Sequence, residues 1–250
     1  MSSKWLCAVI MLIQGLGLSG LRAQVVADID GNVYPVVKIG PQIWMGANLR
    51  TTRYANGDAI GTTKPDGLDI SNVKSPKYQW SYGGNESLVR EYGRLYTWYV
   101  VADGRNLCPS GWHVPTDDDW NVLLSFVGKK YGGLFLKEAG SRHWFRPLTF
   151  YYKYANTGGY VYRDSTGRVD TLYFNNYKFS ALGSGYRRVN GEFVGLKLTT
   201  DWWATSEESA EKGYCFCMSD LGYGAELSRC AKSIGLSVRC IQDLNICEVR

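Results

Sequence analysis

One stretch of the sequence, Cys108–Trp120, constrains the fold most, because it predicts where a helix begins. Thr116 is a favourable N-cap residue, and Asp119 stands three residues later as a capping-box partner. Three consecutive Asp residues place negative charge at the positive end of the helix dipole, so they need no cation to explain them. Apolar residues then recur at helical spacing until Gly128. The sequence therefore predicts a helix over 117–127.

The rest of the chain favours short strands and irregular loops. Gly (29), Tyr (18) and Trp (9) are abundant among the 250 residues, and helix-forming runs are scarce. Apolar spacing predicts one more helix near 94–103, and 237–241 is predicted to be the last core strand. Hairpins are predicted at 25–39 (with a two-residue turn at Asp30-Gly31, rather than a calcium loop), 160–173 (with a turn at 164–167) and 214–231.

The N-terminus has the pattern of a signal peptide. A positive charge at Lys4 precedes a largely apolar run over 5–18, and Ala23 is a small residue suited to signal peptidase. We therefore expect residues 1–23 to be removed, with an uncleaved anchor as the alternative. The mature chain, 24–250, is predicted to be a single domain without a membrane span, exported through the Sec pathway to the periplasm, the cell surface or the medium.

Charge argues against nucleic acid as a partner. Removal of the predicted signal peptide takes away Lys4 and Arg22, so the formal net charge falls from +5 to +3. The remaining charges are scattered along the chain rather than clustered, and a nucleic-acid-binding surface normally needs a basic patch.

Six cysteines remain after residue 23, and an even number in an exported protein favours disulfides over buried free thiols. Six cysteines allow fifteen pairings. Cys215 and Cys217 point to the same face of one predicted strand, so hairpin register must decide which of them lies near Cys230. The predicted disulfide cysteines are Cys108, Cys215, Cys217, Cys230, Cys240 and Cys247.

Motifs for catalysis and cofactor binding are absent from the sequence. The two histidines, His113 and His143, match no zinc-ligand spacing, and we interpret His113 as structural. The chain has no nucleophile elbow, phosphate-binding loop or dinucleotide glycine motif in a supporting context. The sequence therefore predicts no catalytic residue, no metal and no cofactor. The spacing of Cys215 and Cys217 leaves redox or copper chemistry as an alternative.

Several segments together resemble one family, the Fibrobacter succinogenes major paralogous domain (FISUMP). The resemblance covers roughly residues 28–243, and Gly183-Ser184 departs from it where the family often has Pro-Ala. The segments are DGNVY (30–34), WMGANL (44–49), GRLYTW (93–98), CPSGWHVPT (108–116), FSAL (179–182), GYR (185–187), WW (202–203) and GLSVRCI (235–241).

The resemblance implies an exported protein of Bacteroidetes- or Fibrobacter-type bacteria. It also implies an α+β, C-type-lectin-like fold, in which two helices pack on short antiparallel sheets with long irregular loops and disulfide staples. By analogy with that fold, Cys108 pairs with Cys240. Cys230 would then pair with Cys215 or Cys217, and the other of the two with Cys247.

These observations predict a non-catalytic binding or adhesion module of the bacterial surface, with a glycan or a cell-surface protein as partner. The ligand residues are not identified, but long loops such as 51–91 and 144–178 are where we expect them. Two alternatives remain: an enzyme related to formylglycine-generating oxidases, and a structural component of the cell envelope. A reactive thiol at Cys215 or Cys217 would favour the enzyme.

Overall fold

The computed structural model describes residues 24–140, 142–145, 159–163, 169–173 and 175–243. Within these residues the chain is mostly β-sheet with few helices. The predicted signal peptide, the turn at 164–167 and Cys247 lie outside them. The strands are β1 (Val25–Ala27), β2 (Val33–Ile39), β3 (Gln42–Met45), β4 (Gln79–Trp80), β5 (Leu95–Tyr96), β6 (Trp112–His113), β7 (Gly159–Arg163), β8 (Val169–Tyr173), β9 (Ser184–Arg187), β10 (Phe193–Leu196), β11 (Thr199–Glu207), β12 (Lys212–Ser219), β13 (Glu226–Ala231) and β14 (Ile241–Gln242).

The longer strands form two sheets. The first has the order β1-β2-β3-β14-β6, and the second has the order β10-β9-β11-β12-β13. The pairs β4–β5 and β7–β8 stand apart from them. The strand pairing predicted for the hairpins β1–β2, β7–β8 and β12–β13 is confirmed.

The turn between β1 and β2 differs from the prediction. The two-residue turn is wrong, because five residues, 28–32, connect the strands. One carboxylate oxygen of Asp28 accepts hydrogen bonds from the N–H groups of Asp30 (3.0 Å) and Asn32 (2.9 Å), and the other accepts from the Tyr34 hydroxyl at 2.6 Å. The Asp28 side chain therefore builds the turn, as Asx side chains often do, and faces donors rather than a cation.

The helix predicted over 117–127 is confirmed with the same bounds. The Thr116 hydroxyl accepts from the Asp119 N–H at 3.1 Å, and the Asp119 carboxylate accepts from the Thr116 N–H at 2.8 Å, which completes a capping box. The α-helices are α1 (Val89–Tyr92), α2 (Trp98–Val101), α3 (Asp117–Val127) and α4 (Gly132–Leu136), and 3₁₀ turns occur at Tyr82–Gly84 and Glu86–Leu88.

The helix predicted near 94–103 is wrong over its first half. Leu95 and Tyr96 form β5, which pairs with β4, and Tyr96 also bridges Leu236. Only the four residues of α2 are helical in this region. The apolar spacing reflects burial, because Leu95 and Tyr96 are 2% and 0% exposed, and strand pairing overrides the helical pattern.

The run over 237–241 connects the two sheets instead of forming one continuous strand. Ser237 bridges Trp202 in β11 of the second sheet. The Cys240 carbonyl then accepts from the Met45 N–H at 3.0 Å, beside the first sheet, and the chain continues into β14. This part of the prediction is corrected because successive residues pair with different partners.

The aromatic centre of the core joins helix α3 to both sheets. The Trp120 ring stacks on Phe216 with centroids 4.3 Å apart, and it lies 4.7 Å from Trp44. All three side chains are 0% exposed. Burial of side chains of this size contributes on the order of 2–3 kcal/mol each, so this contact is a major reason why the helix docks.

Candidate functional site

Residues from four sequence motifs converge on a buried cluster around Asn48. The side-chain oxygen of Asn48 accepts from Trp202 Nε1 and from the Arg239 guanidinium, both at 2.8 Å. Its amide nitrogen donates to the Tyr92 carbonyl at 2.9 Å. Arg239 also stacks on the Phe179 ring at 4.1 Å. The motifs therefore encode a structural centre rather than a surface site.

The excursion over 51–91, one of the two predicted ligand loops, is pinned to the second sheet. The Arg187 guanidinium donates to the carbonyls of Asp66 at 2.8 Å and Leu68 at 2.5 Å. The same group stacks on the Trp80 ring at 4.2 Å. A fixed guanidinium that satisfies loop carbonyls gives the excursion a defined conformation.

His113 connects β6 to the start of α3 and to the end of the described chain. Its Nδ1 lies 2.6 Å from the Asp243 carboxylate, and its Nε2 lies 3.3 Å from the Asp119 carboxylate. The hydrogen bond to Asp119 raises the pKa of His113, and Asp243 adds to the shift against the effect of burial. Both ring nitrogens are engaged, which agrees with the structural interpretation.

His143 is buried between two carboxylates. Its Nδ1 contacts Glu138 and its Nε2 contacts Glu91, while the edge of Tyr92 packs against the ring at 5.5 Å. The hydrogen bond from His143 lowers the pKa of Glu91. Since both nitrogens are used, this histidine connects α1 to the segment that follows α4.

Two disulfides are present among the described residues. Cys108 is bonded to Cys240, the pair that the resemblance implies, and Cys215 is bonded to Cys230. The register of β12 and β13 decides the second pair. Cys230 lies opposite Gly213, so Cys215 is its diagonal neighbour on the same face.

Cys217 lies one residue pair farther along the same face and is a free thiol in the described part of the chain. Its predicted partner, Cys247, lies outside that part, so this pairing stays a prediction. Burial raises the pKa of the Cys217 thiol well above its usual range, and the negative charge of Asp201, its cross-strand neighbour, adds to the shift. At neutral pH this thiol is a poor nucleophile.

An open groove of about 780 Å³ lies between α3 and the β12–β13 hairpin. Its lining combines apolar side chains with polar and charged groups and with glycine backbone in the hairpin loop. The apolar lining includes Leu124, Met218 and Leu227, and the polar lining includes Asn121, Lys129 and Glu226. The groove offers both an apolar surface and several hydrogen-bonding groups.

The loop between β12 and β13 forms one side of the groove, and contacts with α4 and with Lys137 after it hold this loop in place. Lys137 is 3% exposed, and its ammonium donates to the carbonyls of Ser219 and Gly222. Burial lowers the pKa of Lys137 to about 8. Helix α4 also packs tightly against this loop, because a Cβ on Gly133 would lie 2.3 Å from the Gly224 carbonyl oxygen. The groove wall is therefore pre-organised.

The groove is not among the sites predicted from the sequence. Lys129 directly follows the predicted helix, and Glu226 falls within the hairpin predicted over 214–231. Both line the groove because α3 packs against a hairpin that is distant in sequence. Of the second predicted ligand loop, 144–178, only parts are described, and there Phe145 is 68% exposed.

None of the helices in the described ranges has the length and apolarity that a membrane crossing requires. The described residues form a β-rich fold with two disulfides and an open groove. The chain belongs to the Fibrobacter succinogenes major domain family, whose family model matches residues 37–242. No curated protein and no solved structure matches the chain.

Proposed function

We propose that the protein is an exported, non-catalytic binding or adhesion module of the bacterial cell surface, with a glycan as its ligand. The observation that carries the proposal is the groove between α3 and the β12–β13 hairpin. Its volume of about 780 Å³ is in the range of small-ligand sites, which are usually formed before the ligand arrives.

The chemistry of the lining suits a sugar. A pyranose ring presents C–H groups on its faces and hydroxyls at its edge, so it needs apolar contacts and hydrogen bonds together. The half-buried Leu227 supplies the first kind of contact, and the exposed side chains of Asn121, Lys129 and Glu226 supply the second. The hydrogen bonds of Lys137 to the loop carbonyls reduce the entropy that binding would otherwise cost.

We further propose a C-type-lectin-like fold, with residues 1–23 as a signal peptide and 24–250 as one mature domain. Support comes from the chain order: a short helix, Cys108, an extended run, α3, a loop-rich region and a terminal meander. The disulfide from Cys108 to Cys240 joins the first part of this order to the last. Disulfides are also typical of proteins outside the cytoplasm.

The enzyme alternative requires a reactive thiol, and the environment of the two candidate residues disfavours it. Cys215 is in a disulfide, and burial together with Asp201 raises the pKa of Cys217. A purely structural component of the cell envelope would not need a groove for ligand binding. We therefore retain binding as the proposed function.

A glycan array followed by titration calorimetry tests the proposal. We expect Asn121→Ala and Lys129→Ala to weaken binding of the strongest glycan by about tenfold each, the effect of one lost hydrogen bond of about 1.4 kcal/mol. Asn72→Ala and Lys74→Ala are the matched controls, because both residues are exposed on the 51–91 excursion. The controls should bind as the unmodified protein does.

Two results would contradict the glycan proposal. In the first, the array shows no binding while another envelope protein co-purifies stably, which supports the structural alternative. In the second, a glycan binds but the control variants weaken it as much as the groove variants do, which places the ligand elsewhere.

A further inference from the structure

Three cysteines bring their sulfur atoms within 4.8 Å of one another on one face of the β12–β13 hairpin. Cys215 and Cys230 are disulfide-bonded, and Cys217 Sγ lies 3.7 Å from Cys215 Sγ. A thiol in this place has two chemical uses. It can attack the disulfide, or it can share a metal ion with the two other sulfurs once they are reduced.

The arrangement of the sulfurs disfavours attack. Displacement at a disulfide proceeds with the attacking sulfur in line with the bond that breaks. Cys217 Sγ lies 3.7 Å from Cys215 Sγ, and a disulfide bond is about 2 Å long. If the three sulfurs were in line, Cys217 Sγ would therefore lie roughly 6 Å from Cys230 Sγ. The actual separation is at most 4.8 Å, so Cys217 lies beside the disulfide. The three sulfurs instead form a compact triangle.

The triangle has the dimensions of a thiolate metal site. Tetrahedral zinc has Zn–S bonds of about 2.3 Å, which place its sulfur ligands about 3.8 Å apart. The separation of Cys217 and Cys215 is already 3.7 Å. Asp201 and Glu226 lie opposite Cys217 on the two neighbouring strands, and their negative charges favour a cation near the sulfurs.

We propose that the reduced cluster binds one Zn²⁺ ion through Cys215, Cys217 and Cys230, with a water molecule in the fourth position. The disulfide first takes up two electrons and two protons from a dithiol reductant, which itself becomes a disulfide. The three thiols then release their protons to solvent as the ion binds, because thiolates are the ligands. The site exists only in the reduced protein.

The two disulfides differ in burial, and this difference favours reduction of Cys215–Cys230 before Cys108–Cys240. Cys230 is half-buried on β13, an edge strand, whereas Cys108 and Cys240 are both 0% exposed. A dithiol attacks an accessible sulfur faster than an inaccessible one. Mild reduction should therefore open Cys215–Cys230 while the Cys108–Cys240 bond keeps the fold intact.

The test uses the full purified chain. Alkylation and peptide mass mapping establish the state of each cysteine before and after mild dithiothreitol treatment, and Zn²⁺ is then titrated anaerobically against a chromophoric chelator. We expect one tightly bound Zn²⁺ per reduced chain and none for the oxidised protein. Cys217→Ser should weaken binding by at least about 100-fold.

Cys217→Ser leaves both disulfides and all other cysteines in place, and thermal unfolding of the oxidised variant verifies its fold. Equal Zn²⁺ affinity in the reduced variant and the reduced unmodified protein would overturn the proposal. So would equal binding by the oxidised protein, or a mapped disulfide between Cys217 and Cys247 in the protein as purified.

Discussion

Asn48→Ala should destabilise the protein strongly, because three buried groups depend on that side chain. Trp202 Nε1 and the Arg239 guanidinium lose an acceptor at 2.8 Å, and the Tyr92 carbonyl loses a donor at 2.9 Å. An unsatisfied buried group costs about 1–3 kcal/mol, and a charged one costs more. Since Arg239 keeps its bond to the Phe179 carbonyl, we expect a total loss of about 3–6 kcal/mol.

Urea unfolding followed by tryptophan fluorescence measures this loss. Folded domains have a free energy of unfolding of about 5–15 kcal/mol, so the variant should remain folded in buffer with only a small remaining stability. With a urea dependence of about 2 kcal/mol per molar, a loss of 4 kcal/mol shifts the midpoint down by about 2 M. Asn48→Asp should be intermediate, because it keeps an acceptor for Arg239 but has no donor for Tyr92.

Asn72→Ala is the control for the loss of an asparagine side chain, because Asn72 is exposed. We expect its midpoint to stay within about 0.3 M of the unmodified protein, as for most surface substitutions. If Asn48→Ala shifts the midpoint by less than about 0.5 M, the buried guanidinium does not depend on Asn48 and the reasoning fails.

Two further predictions concern the ends of the fold. Replacing both Cys108 and Cys240 by Ala removes a disulfide that spans 132 residues. The free energy of unfolding, measured in urea without a reductant, should fall by about 4–5 kcal/mol, and a loss below about 1 kcal/mol would contradict this prediction. Asp119 raises the pKa of His113 in the folded protein. The stabilising contribution of protonated His113 should therefore be complete below its pKa in the unfolded chain, about 6.5, and should disappear as the pH rises through its pKa in the folded protein. The stability difference between the unmodified protein and His113→Gln should therefore be larger at about pH 5.5 than at pH 9, and an opposite trend would disprove the assignment.

Helix α3 shows what could be predicted from local sequence. Thr116, Asp119 and Gly128 lie within a few residues of the ends they define, so capping and helical spacing give its bounds without knowledge of the fold. Hairpin strands are local in the same sense, although Asp28 built a longer turn than the expected one.

The wrong prediction of a helix over 94–103 shows where neighbouring residues are not enough to predict the structure. Leu95 has helical spacing with Trp98, Tyr99 and Ala102, but it pairs with β4 instead. Tyr96 beside it pairs with β4 and bridges Leu236, which is distant in sequence. The choice between Cys215 and Cys217 depended in the same way on strand register, which hydrophobic patterning alone did not determine.

The family, the capped helix, the strand-rich character and the set of cysteines that could pair are all predictable from the sequence, because they depend on composition and on neighbours along the chain. The buried cluster of the motif residues Asn48 and Arg239 and the groove between α3 and the β12–β13 hairpin become visible only in the folded chain. Both features depend on distances between segments far apart in sequence, which are set by packing of the whole core.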